Sequence, residues 1–247
     1  TSFPVVVGSS RTGTFSTFTG GPTASNRLLR DRYDATMAFV SVRPLAGGVA
    51  DLSAATDSGI SSTDDLTNDN TPTFTGTAGE GATARIYADG NLVGSSAISA
   101  GAWSVTTSAL SDGPHVITAT VVDGDDDESP ISSGPTVTID TIAPATPGAV
   151  DLQTGSDSGV SGTDNITNDT TPTFDLSAAP FFRFERDSTQ ISGDYESGAS
   201  YTPAAQADGT FSFGVRAVDV AGNASGSSAT LGVTIDTVAP AAPVSAI

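Results

Sequence analysis

Residues 51–76 read DLSAATDSGISSTDDLTNDNTPTFTG and residues 151–174 read DLQTGSDSGVSGTDNITNDTTPTF. An offset of 100 pairs Asp51 with Asp151, Asp57 with Asp157, Gly59 with Gly159, Asp64 with Asp164, Asp69 with Asp169, Pro72 with Pro172 and Phe74 with Phe174. A second match, VTIDTIAP at 137–144 against VTIDTVAP at 233–240, has an offset of 96, so the second unit is four residues shorter in its middle. Self-similarity at a fixed period means tandem copies of one folding unit. Whatever one copy folds into, the other must accommodate too.

Within each copy the apolar runs are short and mostly alternating. The first gives Ala84–Ala88, a turn at Asp89-Gly90-Asn91, then Leu92-Val93, Ala102–Thr106, an Asp112-Gly113 turn, His115–Val122 and Val137–Ile139. Runs of four to eight residues between Gly, Asp and Asn predict antiparallel sandwiches, and no helical period of useful length appears. The predicted fold class is therefore all-β: two tandem antiparallel β-sandwiches joined by a short Pro-rich linker around Ala143-Pro-Ala-Thr-Pro147. The expected boundaries are 45–144 and 145–243, with 1–44 a divergent β segment and 244–247 the start of another linker. The chain begins at Thr1 with no initiating Met or signal peptide and stops where another unit would start, as a processed chain or a piece of a longer one does.

Charge narrows the function. The 247 residues carry a formal charge of −19, with 24 Asp, 4 Glu, nine Arg, no Lys and no Cys. Without Cys there is no disulfide scaffold, thiolate zinc site or Cys nucleophile, and without Lys no Schiff base. So acidic a chain repels nucleic acid and anionic lipid. No stretch approaches the ~20 apolar residues that span a bilayer, so neither membrane insertion nor a nucleic-acid partner is expected.

Five motifs run through about residues 45–247: Thr-Pro-Thr-Phe, Gly101-Ala-Trp-Ser, Leu110-Ser-Asp-Gly-Pro-His, Ala217-Val-Asp-Val-Ala-Gly-Asn and VTIDTxAP. Together they resemble the bacterial Ig-like repeats of large secreted calcium-binding adhesins of the RTX and biofilm type. The second copy departs at Ala179-Pro-Phe-Phe-Arg-Phe and lacks the tryptophan of the first. The resemblance implies a non-enzymatic, extracellular rod-like spacer that supports cell adhesion or biofilm formation, partnered by neighbouring repeats of the same chain.

The aspartates carry the metal expectation. If the segment after the penultimate strand and the opening stretch of each copy share one pole, then Asp140, Asp151, Asp157, Asp164, Asp169, Asp219 and Asn223 converge near one joint. Asp51, Asp57, Asp64, Asp69, Asp123, Asp125 and Asp127 form the counterpart in the first copy. Converging carboxylates repel by roughly 4 kcal/mol per pair at 4 Å and an effective dielectric of 20, with no Lys to offset it. A hard cation with six to eight oxygen ligands fits, and oxygen-only donors favour Ca2+. The twenty-residue opening stretch also needs something to organise it. The competing reading is turn chemistry, because Asp and Asn bond their own backbone in turns. Asp123, Asp125 and Asp127 imitate an EF-hand start, but Glu128 occupies the Gly place and Gly134 the bidentate Glu place. Sliding the linker back a further 100 residues lays Met37–Pro44 on VTIDTIAP with Val40 in place of Asp140, which predicts a weaker site before residue 51.

Other motifs lack the surroundings their chemistry needs. Asp57-Ser-Gly and Asp157-Ser-Gly lack the apolar strand ends of an aspartic-protease dyad. His115 aligns with Phe211, a packing or strand-face position, and Trp103 reads as core rather than as a sugar platform. Residues 1–50 hold five Arg against Asp31 and Asp34, opposite in sign to the rest. That segment reads as the end of a preceding domain. Alternatively, Phe3-Pro-Val-Val-Val-Gly is a strand donated to an identical subunit through residues 1–10, which would make the chain a filament, surface-layer or virion subunit. A spacer or carbohydrate-binding module of a secreted enzyme is a third class.

Overall fold

The computed structural model describes residues 3–6, 15–18, 27–33, 38–44, 48–79, 83–124, 126–177 and 180–242. Among them there are strands, turns and bends but no helix, as the all-β expectation requires. The chain divides into two compact units, Thr1–Asp140 and Thr141–Ile247.

Unit 1 opens with two ribbons. β1 (Phe3–Val6) pairs antiparallel with β2 (Phe15–Phe18), and β3 (Arg27–Tyr33) with β4 (Ala38–Pro44). Phe3–Val6, the segment considered for donation, is thus paired with its own neighbour; the rest of that motif lies outside the described residues, as do Met37, Asp125, Ala179 and 244–247.

Repeat 1 follows as β5 (Asp51–Leu52), β6 (Leu66–Thr67), β7 (Thr73–Thr77), β8 (Thr83–Ala88), β9 (Asn91–Ala97), β10 (Ala102–Thr106), β11 (Gly113–Val122) and β12 (Thr136–Ile139). One sheet has the order β10-β7-β5, the other β6-β12-β11-β8-β9. Repeat 2 contributes β13 (Asp151–Leu152), β14 (Ile166–Thr167), β15 (Phe174–Asp175), β16 (Phe181–Arg186), β17 (Thr189–Gln190), β18 (Ser200–Tyr201), β19 (Gly209–Val218) and β20 (Leu231–Ile235). Its sheets, β13-β15-β18 and β14-β20-β19-β16-β17, reproduce those of repeat 1 strand for strand.

Strand periodicity of two builds both cores. In β8 the side chains alternate half-buried and buried, which sends Ala84, Ile86 and Ala88 inward, and β10 sends in Trp103 and Val105. Ala50, Leu52, Phe74, Ala78, Ile117, Ala119, Val121, Val137 and Ile139 complete the repeat 1 core. Repeat 2 holds the same positions with larger rings. Phe182, Phe184 and Phe213 stand where Ala84, Ile86 and Ile117 do, and Phe174 lies 4.6 Å from Phe213 and 5.1 Å from Phe184 between ring centroids. The Phe-Phe-Arg-Phe departure is therefore a strand, β16, with an aromatic core face. Each fully buried ring or branched aliphatic contributes roughly 1.5–3 kcal/mol.

The β8–β9 turn has positive φ at both central residues, Asp89 (52°) and Gly90 (81°), the twist that a two-residue hairpin needs. Repeat 2 makes the same turn with Asp187 (50°) and Ser188 (63°) and no glycine.

Candidate metal-binding loops

Register places the aspartates. β6 runs parallel to β12, pairing Thr138 with Leu66 and Ile139 with Thr67, and Asp140 N–H donates to Thr67 O at 2.9 Å. Thr67, Asp69 and Asp140 therefore share the pole at which repeat 1 ends. Asp57 joins them, because Thr67 Oγ1 donates to Thr56 O at 2.5 Å. Asp64 lies alongside the last strand, next to Asp65, whose carbonyl accepts Thr138 N–H. β11 starts at this pole, with Gly113 opposite Ile139, and finishes opposite Thr83. Asp123 and Asp127 follow it at the opposite pole, about 30 Å away along a ten-residue strand. Asp51 is exposed on β5, opposite Thr75.

Repeat 2 is arranged identically. Asp157 and Asp169 sit near Thr167 and Asp236, where Asp236 N–H donates to Thr167 O at 2.9 Å, and Asp164 lies alongside β20. Asp219 and Asn223 follow the far end of β19, and Asp151 is exposed on β13. The expected convergence of the whole opening stretch with the segment after the penultimate strand is thus corrected. β5 and β13 begin that stretch, and the chain then crosses to the other sheet, which carries Asp57–Asp69 and Asp157–Asp169 to the trailing pole. Among the described residues no three Asp, Glu or His side chains group closely enough to hold one metal ion.

Most of these carboxylates do turn work. Asp69 Oδ1 accepts Thr71 N–H at 2.8 Å and Thr71 Oγ1 at 3.0 Å, and Asp169 Oδ1 accepts Thr171 N–H at 2.8 Å and its hydroxyl at 3.1 Å. Asp64 Oδ1 accepts Leu66 N–H at 3.3 Å, and Asp164 Oδ1 accepts Ile166 N–H at 3.2 Å. Asp219 Oδ1 accepts Asn223 N–H at 2.8 Å, and Asp123 Oδ1 accepts Asp127 N–H at 3.0 Å. The opening stretch is organised by hydroxyls. The Thr67 and Thr167 side chains bond back to Thr56 O and Ser156 O, and Ser58 and Ser158 each donate to Asn68 and Asn168 Oδ1 at 2.7 Å. Composition alone did not single out these threonines, although the repeated Thr-Asn-Asp triplet carried the signal.

Two carboxylates differ from the others. Asp57 and Asp157 are both buried, and in each the Oδ1 atom is shut away from solvent without a hydrogen-bond partner. Asp157 Oδ2 accepts Asn165 N–H at 3.2 Å. Burial pushes the Asp57 carboxyl up; the amide of Asp65 opposes this, the charges of Asp64 and Asp65 add to it, and the amide of Asp64 opposes it again. Asp65 and Asn165 adopt φ of 59° and 61°, a left-handed conformation that Asp and Asn tolerate. The same unsatisfied oxygen in both repeats suits an oxygen-seeking cation, whose remaining ligands would be backbone carbonyls, hydroxyls and amides.

Catalytic alternatives lose their geometry. Ser58 and Ser158 are bonded to Thr67/Asn68 and Thr167/Asn168. His115 meets Asp89 and the Ser111 carbonyl rather than a serine hydroxyl. Trp103 is 4% exposed, inside the core.

The profile of the bacterial Ig-like domain matches residues 45–141 and 144–237, so the chain belongs to that family, in two tandem copies. Domains of this kind are typically non-catalytic. No curated protein matches the chain. Among solved structures it is similar to fibronectin(III)-like modules of Clostridium thermocellum CbhA, with 16% identity over 76% of this chain and 94% of that one and a TM-score of 0.46. It is also similar to the BSP domain of a biofilm associated protein, with 17% identity over 70% of this chain and 29% of that one and a TM-score of 0.25. A third is SGBP-B of the Bacteroides ovatus mixed-linkage glucan utilization locus in complex with a mixed-linkage heptasaccharide, with 12% identity over 94% of this chain and 57% of that one and a TM-score of 0.25.

Proposed function

We propose that this chain is a non-enzymatic segment of an extracellular bacterial surface protein, a repeat spacer that supports adhesion or biofilm formation and is stiffened by Ca2+ at the opening loop of each repeat. Membership of the bacterial Ig-like family supports the spacer. The observation that carries the metal is the buried, unsatisfied Oδ1 of Asp57 and of Asp157 at equivalent places in two independently divergent copies. A buried acceptor left unpaired costs about 1–3 kcal/mol, and more when it is charged, and a bound cation removes that cost. Asp69, Asp140, Asp169 and Asp236, at the same poles, add negative potential, and the metal's coordination would be completed by uncharged oxygens. Thermal unfolding and small-angle scattering with Ca2+ and with chelator test this. Calcium should raise the melting temperature and lengthen the particle; identical curves under both conditions would sink the calcium role.

A second reading is an assembly subunit joined through residues 1–10. Two-stranded ribbons are marginally stable alone, and β1 and β2 form one. Deleting residues 1–10 would abolish polymerisation of such a subunit and leave a spacer monomeric and unchanged.

A further inference from the structure

The β8–β9 hairpin of repeat 1 is clasped to β11 by one aspartate. Asp89 N–H donates to Val116 O at 3.0 Å, and Val116 N–H donates to Asp89 Oδ1 at 2.9 Å. The other carboxylate oxygen, Oδ2, lies 2.7 Å from His115 Nδ1, while His115 Nε2 lies 2.8 Å from the Ser111 carbonyl oxygen. Both ring nitrogens therefore face groups that only accept, and only the doubly protonated imidazolium satisfies both. A neutral ring keeps one N–H and turns its other lone pair onto an oxygen.

Repeat 2 has the same clasp without the histidine. Asp187 N–H donates to Ser212 O at 2.7 Å and Ser212 N–H donates to Asp187 Oδ1 at 2.9 Å, while Phe211 occupies the His115 position. The positive charge comes instead from Arg186, whose Nε is 4.0 Å from Asp187 Oδ2 and whose guanidinium lies 5.1 Å from the Phe211 ring centroid. Arg186 stands where repeat 1 has Ala88. A guanidinium keeps its charge at every physiological pH.

We propose that repeat 1 carries a proton-operated clip, in which protonated His115 ties the 88–91 hairpin to the Ser111–Gly113 turn and gives up one of those ties on deprotonation, while repeat 2 holds its hairpin with a permanent charge. The His115 side chain is only 13% exposed. The charged groups beside it are Asp89 on the hairpin and Asp112 in the adjoining turn, which has interactions of its own. Across the sheet β12 presents Thr136, Val137 and Thr138, none of which titrates. The Ser111 carbonyl raises the ring's pKa, burial opposes it, and Asp89 adds to the rise. A raised folded pKa gives stability that is complete below the unfolded value near 6.5 and is lost as pH climbs through the folded one. The clip needs no metal.

His115 is the chain's one histidine and Cys is absent, so His115 and the α-amino group are the groups whose ordinary pKa values fall between pH 5.5 and 8.5. Any slope from the upward-shifted Asp57 and Asp65 persists in His115→Phe as the control. Trp103, the single tryptophan, reports on repeat 1 alone. The experiment melts the full chain in chelator from pH 5.5 to 8.5, read by Trp103 fluorescence, and follows the imidazole by NMR. The ring should titrate above 6.5, and the Trp103 midpoint should fall by about 4 °C across the window. His115→Phe should flatten that slope. A ring that titrates at or below 6.5 overturns the clip without any variant, and so does a His115→Phe slope equal to wild type.

Discussion

Gly76 and Trp103 face each other across β7 and β10 so closely that a β-carbon on Gly76 would come within 2.1 Å of Trp103 Cζ2. Repeat 2 solves the same place in reverse: Leu176, 8% exposed, donates its N–H to Ala199 O at 2.8 Å, so a large residue on β15's side faces a small one. The volume has changed strands. Trp103→Ala should cost about 3–5 kcal/mol by opening a cavity. Gly76→Leu alone should unfold repeat 1, because the indole cannot move aside in a packed core. Gly76→Leu with Trp103→Ala should recover part of that loss, with a coupling of about 1–3 kcal/mol in a urea series followed by circular dichroism. Strictly additive losses would show that the two sites are independent.

Thr67 and Thr167 should be the strongest polar determinants of the opening loops. Each is buried; Thr67 Oγ1 donates to Thr56 O and accepts Asp69 N–H at 3.0 Å, and Thr167 does the same with Ser156 O and Asp169 N–H at 2.9 Å. Thr67→Val keeps the shape but strands a carbonyl and an amide, so it should cost about 1–3 kcal/mol. Hydrogen exchange should show the 53–69 amides losing protection while β8 and β11 keep theirs. Unchanged protection would mean that the loop is held by something other than this hydroxyl.

The repeat, the all-β class, the hairpin at Asp89-Gly90 and the core role of Trp103 were legible because each rests on local pattern: a fixed offset, period-two alternation, a turn dipeptide, a lone large apolar residue. The pole of each aspartate was not, since it depends on β6 and β14 leaving one sheet to run parallel with the last strand of the other. Two-residue strands such as Leu66-Thr67 have no periodicity to read. The Gly76–Trp103 and Leu176–Ala199 exchange was hidden for a related reason: its partners lie on different strands with offsets of 100 and 96, and no single alignment window contains both. The orphaned Oδ1 of Asp57 and Asp157 is a property of burial, which residue identity does not encode.

Asp57 and Asp157 give the sharpest metal test. Burial raises the folded pKa of Asp57, so the native state holds that proton more tightly than the unfolded chain does, and ionisation at neutral pH weakens the metal-free fold. Asp57→Asn should therefore stabilise repeat 1 in chelator by about 1 kcal/mol and abolish the calcium-induced rise in its Trp103 melting midpoint. Asp157→Asn should leave the Trp103 signal responsive to calcium and remove the response of the second calorimetric transition. Calcium responses that survive in both variants would place the ion elsewhere.

Two of the four glutamates hold the outward face of the larger sheets, one in each repeat, and they contribute to the acid limit of stability. Glu185 accepts Arg216 Nε at 2.6 Å and the Ser227 hydroxyl; burial raises its pKa, but Ser227 and Arg216 outweigh that and leave it lowered. Glu128 receives Thr120 Oγ1 at 2.5 Å, Tyr87 OH at 2.7 Å and Arg85 at 3.3 Å; the Thr120 bond leads its lowering, which burial opposes. A depressed carboxyl contributes stability that is present above the unfolded value near 4.5 and is lost as pH falls through the folded one. Unfolding should therefore ease below about pH 4.5, and Glu185→Gln and Glu128→Gln should each flatten part of that acid slope. Arg216→Met at pH 7 strands a carboxylate whose side chain is 10% exposed, yet the arginine is 40% exposed and its charge is screened by solvent, so the cost should be about 1–2 kcal/mol rather than that of a fully buried pair. A loss near zero would mean that Ser227 alone satisfies Glu185, and Ser227→Ala in the Arg216→Met background should then expose it.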